Sequence, residues 1–202
     1  FPNFFGEQRF GFSGNNLTEF NRWVETDARK PKNHDLYLSA ARSHLFNQVL
    51  AARQTNKTWN KIVAGDMAML DGSSSVFTVK ECDDEINQRC ESFDIHPSAP
   101  LWGKGDLPTT GSVAVAEQSI ADEHQNWCDF LVRQGLKQER RASRAIAKNL
   151  TWQWLDSTAI KVEFELTKGC YATSLLAEVF DLHKNNNEGK SVHTNNFNYQ
   201  LI

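Results

Sequence analysis

The sequence predicts an α+β fold, and three observations carry that expectation. Leu38, Ala41, Leu45, Val49 and Ala52 recur at steps of three and four residues, the stripe that a half-buried helix presents. Ile160, Val162, Phe164 and Leu166 alternate with Lys161, Glu163, Glu165 and Thr167, the period of a strand with one wet face. Met67, Met69 and Leu70 run into Asp71-Gly72 and emerge as Val76, Phe77 and Val79, a hairpin pattern in which Gly72 can take a positive φ.

The totals bound what such a fold can do. At 202 residues and 40% hydrophobic composition the chain can bury a core in one or two domains. A formal net charge of −3 argues against a wholly basic nucleic-acid binder, so any such site must be a local patch. Cys82, Cys90, Cys128 and Cys170 lie far apart with no Cys-x-x-Cys pair, so thiols are expected rather than disulfides or zinc. No second histidine or acid sits at metal-ligand spacing from His44, and no metal role is expected of any of the six histidines. No apolar run approaches a membrane span and nothing reads as a secretory signal, which points to the cytoplasm. Residue 1 is Phe rather than Met while a dense motif begins at residue 2, so an N-terminal part is expected to be missing.

In chain order, Asn15 and Asn16 are expected to cap a helix that buries Leu17, Phe20, Trp23 and Val24. Asp27 to Asp35 turns polar around Arg29, Lys30, Pro31 and Lys32, a boundary whose cations read as a solvated linker before phosphate contacts. The long helix then carries the stripe above, with His44 at its surface. After the hairpin, Glu81 to Asp94 reads as an acidic helix burying Ile86, Cys90 and Phe93. Pro97, Pro100, Gly103, Gly105 and Pro108 mark an irregular loop from which Trp102 projects inward. One helix is expected from about Val113 to Val132, breaking at Gln134-Gly135. A second follows with Lys137, Arg140, Arg141, Arg144 and Lys148 on one face, against the single acid Glu139. Such a face fits either a solvated charged helix or contacts to an RNA backbone. Trp152 and Trp154 alternate on a strand, Lys168-Gly169 turns the chain, and a helix from about Ala172 buries Leu175, Leu176, Val179 and Phe180. Past residue 183 a polar, asparagine-rich tail begins.

The densest chemistry lies in Pro2-Asn3-Phe4-Phe5-Gly6-Glu7-Gln8-Arg9-Phe10-Gly11. Rings, amides and a guanidinium are the groups that hold a base pulled from its stack. By residue type alone, a strand end packed into a core is the commoner reading.

The pattern Asn-x-Phe-Gly-x-Gln-Arg-Phe-Gly resembles the signature of the TruD family of tRNA pseudouridine synthases. Tyr37-Leu38-Ser39-Ala40-Ala41-Arg42-Ser43 and Leu45-Phe46-Asn47-Gln48 are similar to the helix opening that family's inserted domain. Leu150-Thr151-Trp152-Gln153-Trp154, Phe164-Glu165-Leu166 and Gly169-Cys170-Tyr171-Ala172-Thr173-Ser174 resemble its closing strands and helix. The resemblance runs over residues 1 to 180 with the blocks in order.

It implies part of a pseudouridine-synthase mixed or antiparallel sheet with helices, interrupted by a TruD-type α+β insertion domain. Residues 1–28 and 150–183 would be catalytic segments, 29–149 the insertion and 184–202 the tail. The implied reaction converts a uridine of the tRNA D-arm, position 13 in the family, to pseudouridine without metal or organic cofactor, by a protein expected to be a monomer. Asn3 would lie against the target nucleotide and orient the catalytic carboxylate, Phe5 would pack on the base, and Tyr171 would stack on the uracil where the family usually has phenylalanine. Arg9 fits either a phosphate or a structural partner, and Gln8 either a base edge or, preferably, buried backbone. The family's nucleophilic Asp lies in Gly-x-Lys-Asp-x-x-Ala, and this sequence contains no Lys-Asp pair. Asp66, in Ala64-Gly65-Asp66-Met67-Ala68, is a superficial lookalike within the insertion. The nucleophile is therefore expected outside this chain, which alone should not isomerise uridine. A non-catalytic RNA-binding or interaction module is the alternative.

Overall fold

The computed structural model describes residues 1–182, so the expected asparagine-rich tail lies outside the described residues. Helices and antiparallel sheets make the fold α+β, as expected. Contacts divide the chain into two units, Pro2–Arg144 and a smaller one of Phe1 with the chain from Ala145 onward.

In the larger unit, two short 3-10 turns (Glu7–Phe10 and Phe12–Gly14) lead to α1 (Asn15–Thr26) and α2 (His34–Thr55). Gly14, in the left-handed region, caps α1 in place of the asparagines, which lie inside the helix and make no capping bond. The stripe on α2 is buried at Leu38, Ala41, Leu45 and Val49. It packs with Phe20 and Trp23 of α1 and with Cys128, Phe130 and Leu131 into the main core. Trp102 packs partly buried against that core, as its expected inward projection requires.

The expected hairpin forms as β1 (Met67–Leu70) against β2 (Val76–Thr78), with Gly72 at φ 66°. The acidic helix α3 (Asp84–Glu91) is capped by the Asp83 side chain, which accepts the Ile86 N–H at 2.9 Å. Cys90 is buried there, but Phe93 is 46% exposed at φ 63°. Past the C-terminus of α3, the chain at Phe93 turns through the left-handed region and its ring lies under the Arg144 guanidinium, 4.6 Å away.

Three expectations fail here. The first part of the expected irregular loop, with Pro97 and Pro100, is strand β3 (Ile95–Leu101), which pairs with both β1 and β4 (Glu139–Ala142) in a four-stranded sheet ordered β2-β1-β3-β4, whereas Gly103 to Pro108 is irregular as expected. Proline lacks a donor, and both prolines stand where little pairing is lost: the missing donor of Pro97 faces Ser143, past the β4 ladder, where the Asn3 N–H takes its place, and that of Pro100 faces the β1 side, past the end of the β1 ladder. The expected single helix is two, α4 (Gly111–Glu123) and α5 (Gln125–Arg133), broken at His124 with φ −121° and ψ 31°. The expected basic helix after Gly135 is β4, then the start of β5. Its three- and four-residue spacing of cations coincides with helical period, but period two governs, so Arg140 and Arg141 point to opposite faces.

In the smaller unit β5 (Lys148–Trp154) pairs antiparallel with β6 (Ile160–Glu165), with Trp154 opposite Ile160. The Asp156 carboxylate closes the turn by accepting the Thr158 and Ala159 N–H groups at 2.7 and 2.8 Å. Alternation on β6 is as expected, and Gly169 takes φ 92°. The last helix, α6 (Ala172–Leu176), buries Leu175 and Leu176; it is too short to bury Val179, which is 70% exposed.

Beyond β4, Arg144 is buried. Its Nε donates to His96 Nδ1 at 2.9 Å, which sets the imidazole proton on Nε2, facing Asp71 Oδ1 at 2.9 Å. Burial lowers the His96 pKa from 6.5, against the Asp71 bond and with the Arg144 charge; burial and His124 lower His44 as well. A base whose folded pKa is depressed takes up more protons when unfolded, so stability falls with pH below about 6.5. Thermal melts from pH 7.5 to 5 should show that fall, and His96→Gln with His44→Gln should flatten it. An unchanged slope in the double variant would refute this assignment.

Candidate functional site

The opening motif does not end a regular strand; it is bound at its flanks by side chains and by β4. Pro2 forms an isolated antiparallel bridge to Arg144. Ser143 donates its N–H to the Pro97 carbonyl at 2.8 Å, and proline has no N–H with which to return the bond. The Ser143 carbonyl instead accepts the Asn3 N–H at 2.9 Å. Asn3 is 5% exposed, and both ends of its amide are engaged. Nδ2 donates to Ala142 O at 2.9 Å, and Oδ1 accepts from Arg141 Nη2 at 2.5 Å.

Phe5 is held as if by a neighbouring strand. The Asn47 side chain accepts its N–H at 2.9 Å and donates to its carbonyl at 3.0 Å. The Phe5 ring meets Phe46 edge-on at 5.4 Å between centroids, and the Arg141 guanidinium lies 4.1 Å above it. Arg9, on the first 3-10 turn, donates to Ser39 Oγ at 2.8 Å and stands 5.4 Å from the same ring. Gly11 ends this turn at φ 77°, where a Cβ would press on the Asn16 side chain at 3.0 Å; Asn16 in turn donates to the Arg9 carbonyl at 3.2 Å. Gln8 is exposed, so the preferred role of satisfying buried backbone is corrected: the turn satisfies itself, with the Gly11 N–H on the Gln8 carbonyl.

Phe5, Arg9 and Arg141 share an open cleft of about 490 Å³ with Lys30, Asp35, Ser39, Arg42 and Leu136. Four cations against one carboxylate make it a local positive patch in an acidic chain, able to receive phosphate beside an aromatic surface. Arg42 donates to the Leu101 and Lys137 carbonyls at 2.8 Å each and pairs with Glu139 at 3.1 Å. Burial holds its pKa below the usual value, with Glu139 opposing. Gly103 lets the chain come this close, since a Cβ there would strike the Lys137 backbone. Arg42, Ser39 and Asn47 were not singled out as site residues. They lie inside sequence blocks that were read as helix, and their spacing carries no separate signal.

The five expected backbone-binding cations do not form one face. Lys137 and Lys148 are exposed, Lys148 in the smaller unit. Arg140 is buried in a two-toothed pair with Glu117 at 2.7 and 2.9 Å. Arg144 donates to His96, Asn60 O, Cys90 O and Ile95 O. Arg140 and Arg144 are thus committed to protein partners, and Arg141 to Asn3 and Phe5. Tyr171, in the smaller unit, precedes α6 in extended backbone (φ −115°, ψ 122°) and is half-buried. Asp66 is fully buried and paired with Arg53 at 2.7 and 2.8 Å, a structural group as expected of the lookalike. Burial pushes the Cys128 thiol up to about 12, which makes it a core group and not a nucleophile. Among the described residues no cluster of three or more His, Cys, Asp or Glu is placed to hold a metal, and no helix is long and apolar enough to cross a membrane.

Comparison with known proteins follows the same lines. The family model for tRNA pseudouridine synthase D (TruD) matches residues 26–179. The tRNA pseudouridine synthase D of Hydrogenovibrio crunogenus is 39% identical over 183 residues, covering 90% of this chain and 53% of the relative. That of Colwellia psychrerythraea is 40% identical over 190 residues, covering 89% and 52%. That of Xanthomonas oryzae pv. oryzae is 42% identical over 196 residues, covering 88% and 53%. The chain thus spans about half the length of these curated relatives. A solved structure from Methanosarcina mazei that carries the TruD name matches with a TM-score of 0.61 over 88% of this chain and 60% of its own. At 17% identity that likeness speaks for a shared fold.

Proposed function

We propose, since this chain belongs to the TruD family of tRNA pseudouridine synthases, that it builds the base-gripping part of an enzyme isomerising a uridine of the tRNA D-arm. The observation that carries this reading is the gathering of Phe5, Arg9 and Arg141 around one cationic cleft, with Asn3 buried beside it and held by Arg141. Uracil is detached from its sugar at nitrogen and rejoined through carbon, with no net redox change. The work asked of the protein is therefore eversion of the nucleotide, a grip on the loose base, and a positioned carboxylate. Asn3 orients that carboxylate, which is carried outside this chain. Phe5 supports the base, and Tyr171 supplies a second ring whose hydroxyl leaves stacking intact. Arg9 and Lys30 neutralise backbone phosphates, and Lys137 and Lys148 remain available to do the same. Residues from about 29 to 149 form the family's insertion, flanked by catalytic segments 1–28 and 150–183. The enzyme acts in the cytoplasm as a monomer, needs no cofactor, and takes uridine 13 as its target.

Mass mapping of tRNA incubated with the intact protein tests this. Conversion of a D-arm uridine is expected, with turnover about a hundredfold lower for Asn3→Ala, the loss that misplacement of a reacting group brings. An Asn3→Ala enzyme matching the wild type would remove Asn3 from the site. A second reading, which the cations beside the open cleft would serve equally well, is a module that binds RNA without modifying it. That reading requires tight tRNA binding and no pseudouridine.

A further inference from the structure

We infer that Arg141 is a positioning residue of the uridine site and not an anchor for phosphate. The inference rests on the pseudouridine-synthase reading above and assigns a task inside that site. Arg141 and Arg140 are neighbours on β4, so strand geometry sends them to opposite faces. Arg140 goes to the interior. Arg141 goes to the two motif residues that matter most to substrate: Nη2 donates to Asn3 Oδ1 at 2.5 Å, and the guanidinium plane lies 4.1 Å over the Phe5 ring.

Each contact fixes one degree of freedom. The Asn3 amide could be turned either way about its last bond. With Ala142 O accepting from one end and Arg141 donating to the other, only one orientation avoids setting donor against donor. Asn3 is then left with one unspent N–H and one unspent lone pair, a defined polarity toward anything that approaches it. The Phe5 ring, already braced edge-on by Phe46, is pinned from above by the same guanidinium, which is also 5.5 Å from Phe46. One side chain thus sets both the direction of the edge-reading amide and the plane of the aromatic support. Arg141 lines the cleft as well, so a base entering there meets a flat guanidinium backed by a phenyl ring, a surface that nucleobases stack on.

A point charge cannot do this. Lysine keeps the charge but has neither plane nor fork. Kinetics of the intact protein on a tRNA transcript therefore separate the two roles. Under positioning, Arg141→Lys lowers kcat about a hundredfold with KM within threefold of wild type, and Arg141→Met does the same. The slope of log binding constant against log salt for tRNA stays as in the wild type. In an Asn3→Ala background, Arg141→Lys costs less than it does in the wild type, because one of the two groups it acts through is already gone. Circular dichroism and melting of Arg141→Lys establish that the folded enzyme is being assayed; should Arg141→Met not fold, the lysine variant alone decides. Arg141→Lys with wild-type kcat overturns the inference. So does a salt slope that falls by about one for Arg141→Met with kcat intact, the mark of a phosphate contact. Full additivity with Asn3→Ala does likewise. A wild type that modifies no uridine overturns the functional reading and this inference with it, whereas an active wild type matched by Arg141→Lys overturns this inference alone.

Discussion

Arg140→Ala is expected to destabilise the larger unit by about 3–5 kcal/mol, the cost of stripping one partner from a buried ion pair. The Arg140 and Glu117 side chains are 4% and 1% exposed. Their two contacts at 2.7 and 2.9 Å are extended by Arg140 to Ser98 O at 2.7 Å and by Thr109 Oγ1 to Glu117 at 2.8 Å. Removing the guanidinium leaves a buried carboxylate without its counter-charge. Removing both charges is a different experiment. Arg140→Met with Glu117→Leu should recover most of the loss, since the pair also carried a heavy desolvation cost that apolar side chains avoid. Urea unfolding of the three variants measures this directly. An Arg140→Ala protein as stable as wild type, but weaker in binding tRNA, would restore Arg140 to the RNA-facing role that its spacing suggested.

Asp66→Ala is expected to cost a comparable amount, about 3–5 kcal/mol, for the same reason. Asp66 is fully buried, accepts from both terminal Arg53 nitrogens, Nη1 and Nη2, and also accepts the Val63 N–H at 3.1 Å. Arg53 further donates to the Thr58 and Lys61 carbonyls, so this pair ties the end of α2 to the loop before β1. The prediction separates structure from chemistry. Pseudouridine formation per folded molecule should be unchanged in Asp66→Ala, once the folded fraction is known from the unfolding curve. A fall in turnover with stability intact would make Asp66 a reacting group after all.

These two pairs mark where reading the chain in one dimension reaches its end. The stripe on α2, the β1–β2 hairpin and the alternation on β6 are written in local periodicity, and periodicity is what a fold of this kind preserves. The motif at residues 2–11 was legible because its residue types are unusual together. Glu117 was not, because one acid in a helix looks solvated until its partner from β4 is known. The central strand β3 was missed because two prolines argue against a ladder, and only the register shows that their absent donors fall where pairing has lapsed. β4 was missed for the opposite reason: its arginines fit a helical period by coincidence, and nothing local announces that adjacent guanidinium groups belong on opposite sides of a sheet. At the site itself, Asn3, Phe5 and Arg9 were named, whereas Arg42, Ser39 and Asn47 act through distances of thirty or more residues that spacing cannot encode.

The segment carrying Phe5 and Arg9 is stapled to α2 twice, by Asn47 and by Ser39. Those anchors are eight residues apart, about 12 Å along the axis. Two fastenings so separated stop the motif from pivoting about either one, so it travels as cargo on that helix. Any hinge that tilts α2 must therefore swing the Phe5 ring by the same angle, and any load on that segment pulls a 22-residue lever.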